Sequence, residues 1–315
     1  AMGFLLAAHR PLRIWQRRPA AGATPVNLEA TVPESDVILF CLPAMAHTEV
    51  AARIAPLLRG ETLCLTIAKG LDERGRLPAT VLTEALGAAR VAVLYGPMIS
   101  EEIRAGKPAF AECGTPEPAA YDRIAALYRG TALHLEHSRD IGGLSWSAIL
   151  KNVYAIAFGM ADELKLGDST RGFLAVTALH ELSAIVQHLG GASATPYRLA
   201  GLGDLITTAT SAGSHHHELG RLIVRNQRAA LKGEGVHTLA MIEQFRPLDS
   251  TSFPLLRLIA TCVREPGNAP QAMRDEANDI QRVAFFATVP MSLQLFAAGA
   301  LPLTAARARP SSVGL

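Results

Sequence analysis

The sequence predicts an α/β fold, a mostly parallel sheet domain followed by an all-helical C-terminal domain. Short apolar runs alternate with helical patterns through residues 1–137. That alternation is the mark of strand–helix–strand units around a largely parallel sheet. Several runs, such as Val37 to Leu42, are apolar without a break, which suits strands covered on both faces. From residue 138 onward the pattern turns helical and no strand is evident. The chain therefore divides into 1–137 and 138–315, with the boundary in the polar stretch Glu136–Asp140.

Each element has its own warrant. Arg13–Gln16, Val37–Leu42, Leu63–Ile67, Val91–Tyr95 and Ala109–Cys113 read as strands. Pro43 has no N–H to give a ladder and ends the second of them. His47–Leu58, Pro78–Leu86 and Pro118–Tyr128 read as the helices between. Ser147–Leu164, Gly172–Leu189, His217–Leu231 and Thr238–Phe245 read as helices of the second domain. Val283–Ala306 carries no charge and is long enough to cross a bilayer. Pro290, Gln294, Gly299 and Pro302 interrupt it, so a buried helix pair or a subunit interface is expected instead of a membrane span.

Composition narrows the class. The chain has 315 residues, enough for two domains with real cores. It is 49% hydrophobic and 18% charged, which excludes extensive disorder. A net charge of +2 gives no nucleic-acid footprint. Cys41, Cys64, Cys113 and Cys262 are scattered without metal-ligand spacing, and Cys41 and Cys64 read as buried thiols. A cytoplasmic protein is expected, with no cleavable signal peptide.

Chemistry concentrates in the stretch Leu199–Gly220. Gly201 and Gly203 allow close backbone approach, and Asp204 follows at once. Thr207, Thr208, Thr210, Ser211 and Ser214 supply hydroxyls. A carboxylate with hydroxyls at a helix start suits a polyhydroxylated or phosphorylated ligand; the same residues also suit a capped helix start. Upstream, Lys151 and Asn152 sit among apolar Ile149, Leu150 and Val153. A lysine buried in such a pattern needs a reason.

Several segments, in order, resemble the NAD(P)-dependent glycerol-3-phosphate dehydrogenase family. They are Ala68-Lys69-Gly70-Leu71, Gly96-Pro97 with Glu101-Glu102, Leu150-Lys151-Asn152-Val153, Leu166-Gly167-Asp168, Gly201-Leu202-Gly203-Asp204-Leu205, and Glu234-Gly235-Val236 with Thr238. Leu12-Arg13-Ile14-Trp15 resembles the family's second strand. Ala1-Met2-Gly3 looks like the last third of a Gly-x-Gly-x-x-Gly fingerprint, without its first strand and first two glycines. The resemblance covers roughly residues 1–275 and says nothing of the tail.

The resemblance implies a Rossmann-like dinucleotide domain over 1–137 and a helical substrate and dimerisation domain over 138–315. It implies reversible reduction of dihydroxyacetone phosphate to sn-glycerol 3-phosphate by a homodimer, feeding glycerophospholipid synthesis. Lys151 would be the general acid/base, Lys69 a second cation, and Asp204 the group holding Lys151 or a substrate hydroxyl. Gly96, Asn152, Thr208, Ser214, His215 and His216 would complete the substrate site. Gly3, Arg17, Pro43, Lys69, Ser100, His215 and Glu234 would meet NAD or NADP. Gln16-Arg17-Arg18 tilts that choice toward NADP, since Arg17 suits a 2′-phosphate, although it also suits a solvated turn. Gly3 equally suits helix packing, and Lys69 alone would read as an exposed strand-end lysine.

Departures accompany the match. Ser214-His215-His216 stands where the family has Ser-Arg-Asn at the substrate phosphate, so protonated imidazoles replace an arginine fork there. Met98 replaces a serine, and Ser145-Trp146 replaces Glu-Leu before the lysine. Adjacent helical histidines point apart, so no metal is expected. Two other readings stand beside the first: a ketopantoate reductase-like enzyme, and a non-catalytic dimeric binding protein that lost its nucleotide site. Gly201-Leu202-Gly203-Asp204-Leu205 argues against the former, and Lys69, Lys151 and Asp204 together oppose the latter.

Overall fold

The computed structural model describes residues 1–19, 25–211 and 213–275. The apolar stretch Val283–Ala306 lies outside them. Strands β1 (Val37–Phe40), β2 (Leu63–Thr66), β3 (Val91–Tyr95), β4 (Ala109–Gly114) and β5 (Leu133–Ser138) form one sheet in sequential order. β1, β2 and β3 run parallel, β4 is antiparallel to β3, and β5 is parallel to β4. Every residue of β2 and β3 is buried, as their unbroken apolar runs require.

Helices fill the connections. They are α1 (Met2–Ala7), α2 (Leu28–Thr31), α3 (His47–Ile54), α4 (Pro78–Leu86), α5 (Ser100–Arg104) and α6 (Pro118–Tyr128). Prolines open α4 and α6, where a missing N–H costs nothing. The second half is α7 (Ile141–Glu163), α8 (Asp168–His188), α9 (Asp204–Thr210), α10 (His215–Val224), α11 (Glu234–Phe245) and α12 (Pro254–Arg264). Among the described residues no helix is long and apolar enough to cross a membrane.

Three expectations are corrected. Arg13–Gln16 forms no strand. Arg13 turns to Glu34 at 2.9 Å, and Trp15 leans on the core beneath the Arg53 guanidinium. The alternation there serves side-chain packing, not a ladder. β5 was not expected, because Leu133-His134-Leu135-Glu136-His137 alternates apolar with polar residues, as suits a half-solvated edge strand. Cys41 is exposed, since β1 ends one residue before it.

α7 is the axis of the helical half. It is buried continuously from Gly143 to Ala161, so it reads as apolar all round. Gly159 lets α10 cross it closely, because a Cβ there would lie 1.8 Å from the His217 carbonyl oxygen. Asp140 caps α7 by accepting the Gly143 N–H at 2.8 Å. It also accepts the Ala192 N–H and the Thr195 hydroxyl, tying the start of α7 to the loop after α8.

Glu181 does the same from inside the core. Its carboxylate accepts the Leu255 and Leu256 N–H groups at 2.6 and 3.0 Å and the Tyr154 hydroxyl at 2.9 Å. A side chain on α8 thus caps α12. Glu181→Leu leaves these donors unpaired, each costing about 1–3 kcal/mol. Urea unfolding is expected to show a loss of at least about 3 kcal/mol, while Glu218→Leu on the half-solvated face of α10 stays within about 0.5 kcal/mol.

Candidate active site

The site lies where the carboxyl ends of β1, β2 and β3 meet the helical half. Lys69 follows β2, and Gly96 follows β3 directly. Lys151 and Asn152 sit mid-way along α7, and Asp204 and Thr208 occupy the first turns of α9. Asp204 is the junction. Its Oδ2 lies 2.5 Å from Lys69 Nζ and its Oδ1 lies 3.1 Å from Lys151 Nζ.

Both lysines are otherwise anchored. Lys69 donates to the Gly96 carbonyl at 3.2 Å. Lys151 donates to Thr208 Oγ1 at 2.6 Å, and that hydroxyl donates to the Asp204 carbonyl at 2.7 Å. The Asn152 amide reaches the Lys69 carbonyl at 3.5 Å. The structure therefore brings together Lys69, Gly96, Lys151, Asn152, Asp204 and Thr208, residues far apart in sequence.

Burial and charge decide the protonation states. Burial, then the Lys69 ammonium, pushes Lys151 down to about 8, although Asp204 and Glu234 pull the other way. Burial opposes the Asp204 charge, but two ammonium groups outweigh it and hold the carboxyl below its ordinary range. Burial raises the Glu234 carboxyl against the pull of Lys69 and Lys151. Glu234 opens α11 and faces Gly70, where a Cβ would meet its carboxyl carbon at 3.5 Å.

The three histidines diverge. His215 Nε2 meets the Lys232 carbonyl at 2.9 Å on the exposed side. His217 is buried against Asp162 at 2.7 Å. His216 faces the site, and its buried Nε2 has no hydrogen-bond partner among the described residues. Burial, then Lys151, His215 and Lys69, pushes the His216 imidazole down to about 3. It is neutral, contrary to the expectation that it carries charge. Ser214 caps α10 by accepting the His217 N–H at 3.3 Å.

The expected nucleotide residues are spread more widely. Pro43 follows β1 at the carboxyl edge of the sheet and accepts from the His47 ring. Ser100 is exposed at the start of α5. Gly3 packs on Ile14 and Leu12, so room beneath it goes to side chains. Arg17 pairs with Glu49 on the surface.

Sequence reasoning missed Tyr95. Its buried hydroxyl donates to the Ala68 carbonyl at 2.9 Å and fixes the loop that carries Lys69. The signal was present, since a tyrosine closing an otherwise aliphatic buried strand must find a partner for its hydroxyl.

Known proteins match this chain over both halves. The family described as NAD-dependent glycerol-3-phosphate dehydrogenase N-terminus matches residues 16–119, and its C-terminus counterpart matches residues 140–274. A glycerol-3-phosphate dehydrogenase [NAD(P)+] of Deinococcus radiodurans is 32% identical, over 85% of this chain and 88% of that one. One from Synechocystis is 31% identical, over 84% of each. A glycerol-3-phosphate dehydrogenase structure from Coxiella burnetii is 27% identical with a TM-score of 0.70, covering 79% of each chain. The chain belongs to the NAD-dependent glycerol-3-phosphate dehydrogenase family.

The two glycines before Asp204 are not equivalent. Leu199–Gly203 forms a single π-helical turn, closed by the Gly203 N–H donating to the Arg198 carbonyl at 3.1 Å. A Cβ on Gly201 would lie 2.1 Å from the Pro196 carbonyl oxygen, whereas one on Gly203 meets nothing nearer than 3.6 Å. Gly201→Ala is expected to cost at least about 2 kcal/mol, and Gly203→Ala less than about 1 kcal/mol. Thermal unfolding of the two variants checks this.

Proposed function

We propose that this chain interconverts dihydroxyacetone phosphate and sn-glycerol 3-phosphate with NADH or NADPH. The observation that carries the proposal is the buried series Lys69, Asp204, Lys151 at the carboxyl ends of parallel strands. Ligands of open α/β sheets bind in that crevice. The sheet half would hold the nucleotide and the helical half the substrate.

The residues at the strand ends fit the nicotinamide end of a dinucleotide. Pro43 and Lys69 would meet it from the sheet side, Ser100 from the start of α5 and Glu234 from α11. When bound, the nicotinamide supplies or accepts the hydride. Arg17 would serve a 2′-phosphate, since its surface pair with Glu49 holds it only weakly.

The protein's own part is charge and proton handling. Reduction of a ketone develops negative charge on the carbonyl oxygen. Lys69 and Lys151 stabilise that charge, and the Lys151 ammonium donates the proton to the oxygen. Asp204 keeps both cations in register and makes their proximity tolerable. Thr208 and Asn152 orient the two lysines. The phosphate would meet Ser214, His215, neutral His216 and the N-terminal N–H groups of α10.

Ketone reduction needs Lys151 protonated, and alcohol oxidation needs it neutral. Reduction is therefore expected to run well below pH 8 and to fall as pH rises through about 8, with oxidation rising through the same range. Lys151→Ala is expected to lower kcat by on the order of 10²-fold with the fold retained. Steady-state kinetics in both directions, against pH, test both points. Turnover within a few-fold of the parent would remove Lys151 from the mechanism.

Cofactor preference has its own check. Arg17→Ala is expected to raise KM for NADPH severalfold while KM for NADH stays unchanged. Equal effects on the two would make Arg17 a surface residue only.

A further inference from the structure

We propose that Glu112 is a positioning residue for this site, holding the turn that delivers Asp204 between Lys69 and Lys151. The inference rests on the reading of Lys151 as the proton donor.

Glu112 sits inside the sheet, on β4, opposite Tyr95 of β3 and Glu136 of β5. It is 0% exposed. A carboxylate in the middle of a buried strand breaks the local rule that such positions are apolar. Desolvation of the charge is costly unless polar partners meet it. The partners come from the other half of the chain. The Ala200 N–H donates to Oε2 at 2.9 Å, and Arg198 Nε lies 2.7 Å from Oε1, off the line of a hydrogen bond. Arg198 also donates from Nη2 to Glu136 Oε2 at 2.9 Å. One arginine thus spans carboxylates on two neighbouring strands.

Both contacts fall on the π-helical turn. The Arg198 carbonyl accepts the N–H of Gly203, and Asp204 follows. Glu112 therefore pins this turn to the sheet at its beginning and within it. Across the ladder, Tyr95 holds Ala68, the residue before Lys69. The pairing of Tyr95 with Glu112 fixes the approach of Lys69 and of Asp204 in one register. The contact with Glu136 is half-solvated and adds little energy; the buried contacts with Glu112 set the geometry.

Burial, then Lys69, lowers the Lys151 pKa, and Asp204 and Glu234 raise it. Of these, Asp204 is the one that Glu112 positions, and Asp204 favours the ammonium. If the turn loosens so that Asp204 withdraws while α7 keeps Lys151 buried beside Lys69, Lys151 titrates at lower pH than in the parent. A purely structural loosening would instead hydrate Lys151 and leave its titration unchanged or raise it.

The test uses Glu112→Leu, Glu112→Gln and Arg198→Ala in the full chain. Isotope-labelled lysine side chains followed by NMR report the Lys151 titration without substrate, with Lys151→Met assigning the signal. Kinetics use dihydroxyacetone phosphate and NADH. Glu112→Leu is expected to lower kcat about tenfold or more, since small misplacements at a reacting centre cost such factors. KM for NADH is expected to stay within about twofold. Lys151 titrates lower in this variant, and Glu112→Gln recovers most of both effects because its amide oxygen still accepts the Ala200 N–H. Arg198→Ala, at a half-exposed side chain, moves Lys151 in the same direction by less. An unchanged or raised Lys151 titration in folded Glu112→Leu and Arg198→Ala overturns the proposal. If Glu112→Leu fails to fold, Arg198→Ala decides alone. If the parent reduces no dihydroxyacetone phosphate, the substrate reading fails and the NMR titration still decides the positioning role.

Discussion

The site depends on one carboxylate placed between two ammonium groups. Lys69 and Lys151 come from different halves of the chain, and both are largely removed from water. Two such cations repel strongly in a medium of low dielectric. Asp204 supplies the charge that lets them approach, and each of its oxygens meets a different lysine. The balance is unequal. Asp204 sees two cations and is held ionised, whereas Lys151 sees burial and a like charge on one side and Asp204 on the other. The outcome is a lysine poised near neutrality next to a carboxylate that does not take its proton, which suits a group that must both give and accept a proton.

That arrangement constrains the architecture around it. Asp204 can stand between the lysines only if the start of α9 is held against the sheet, and the π-helical turn before it does this. Such turns are uncommon and gather at functional sites because they displace a residue that an α-turn would place elsewhere. Gly201 makes the turn possible by leaving room for the Pro196 carbonyl. The same logic recurs away from the site. Asp140 and Glu181 are carboxylates that accept backbone N–H groups of a second segment, and each joins two elements that apolar packing alone would let slide. Apolar contacts supply the stability of this protein, and a few buried carboxylates set its register.

Much of this was legible in the sequence. Apolar runs identified β1 through β3, because parallel strands inside the sheet have little polar face to disguise them, and β4 was legible although Glu112 interrupts its run. Lys151 stood out because an apolar helix gives a lysine no solvent, and Asp204 because it followed two glycines. What stayed hidden was pairwise. Glu112 reads as an ordinary strand residue until Arg198 and Ala200 arrive from the other half. Glu181 reads as a solvated helix residue until α12 docks on it. Gly201 and Gly203 are alike in sequence, and only the position of Pro196 separates them. Arg13–Gln16 shows the opposite error, where an alternating pattern has no neighbouring strand to complete it. β5 escaped because its outward face is polar, so it lacked the apolar run that marked the interior strands.

The histidines show how far residue type falls short of chemistry. His215, His216 and His217 are adjacent and chemically identical, yet the helix sends them to a carbonyl, to the site and to a carboxylate. Of the three, His216 enters the region of the lysines, and there burial first, and then the charge of Lys151, disfavours a proton on it. A third cation in so small a buried volume would need another carboxylate, and Glu234 is itself being raised by burial. Among the described residues, two full charges stand together in the site, those of Lys69 and Lys151. His216 keeps a buried imidazole nitrogen, Nε2, that meets no hydrogen-bond partner among the described residues, and a buried polar atom of that kind calls for an explanation.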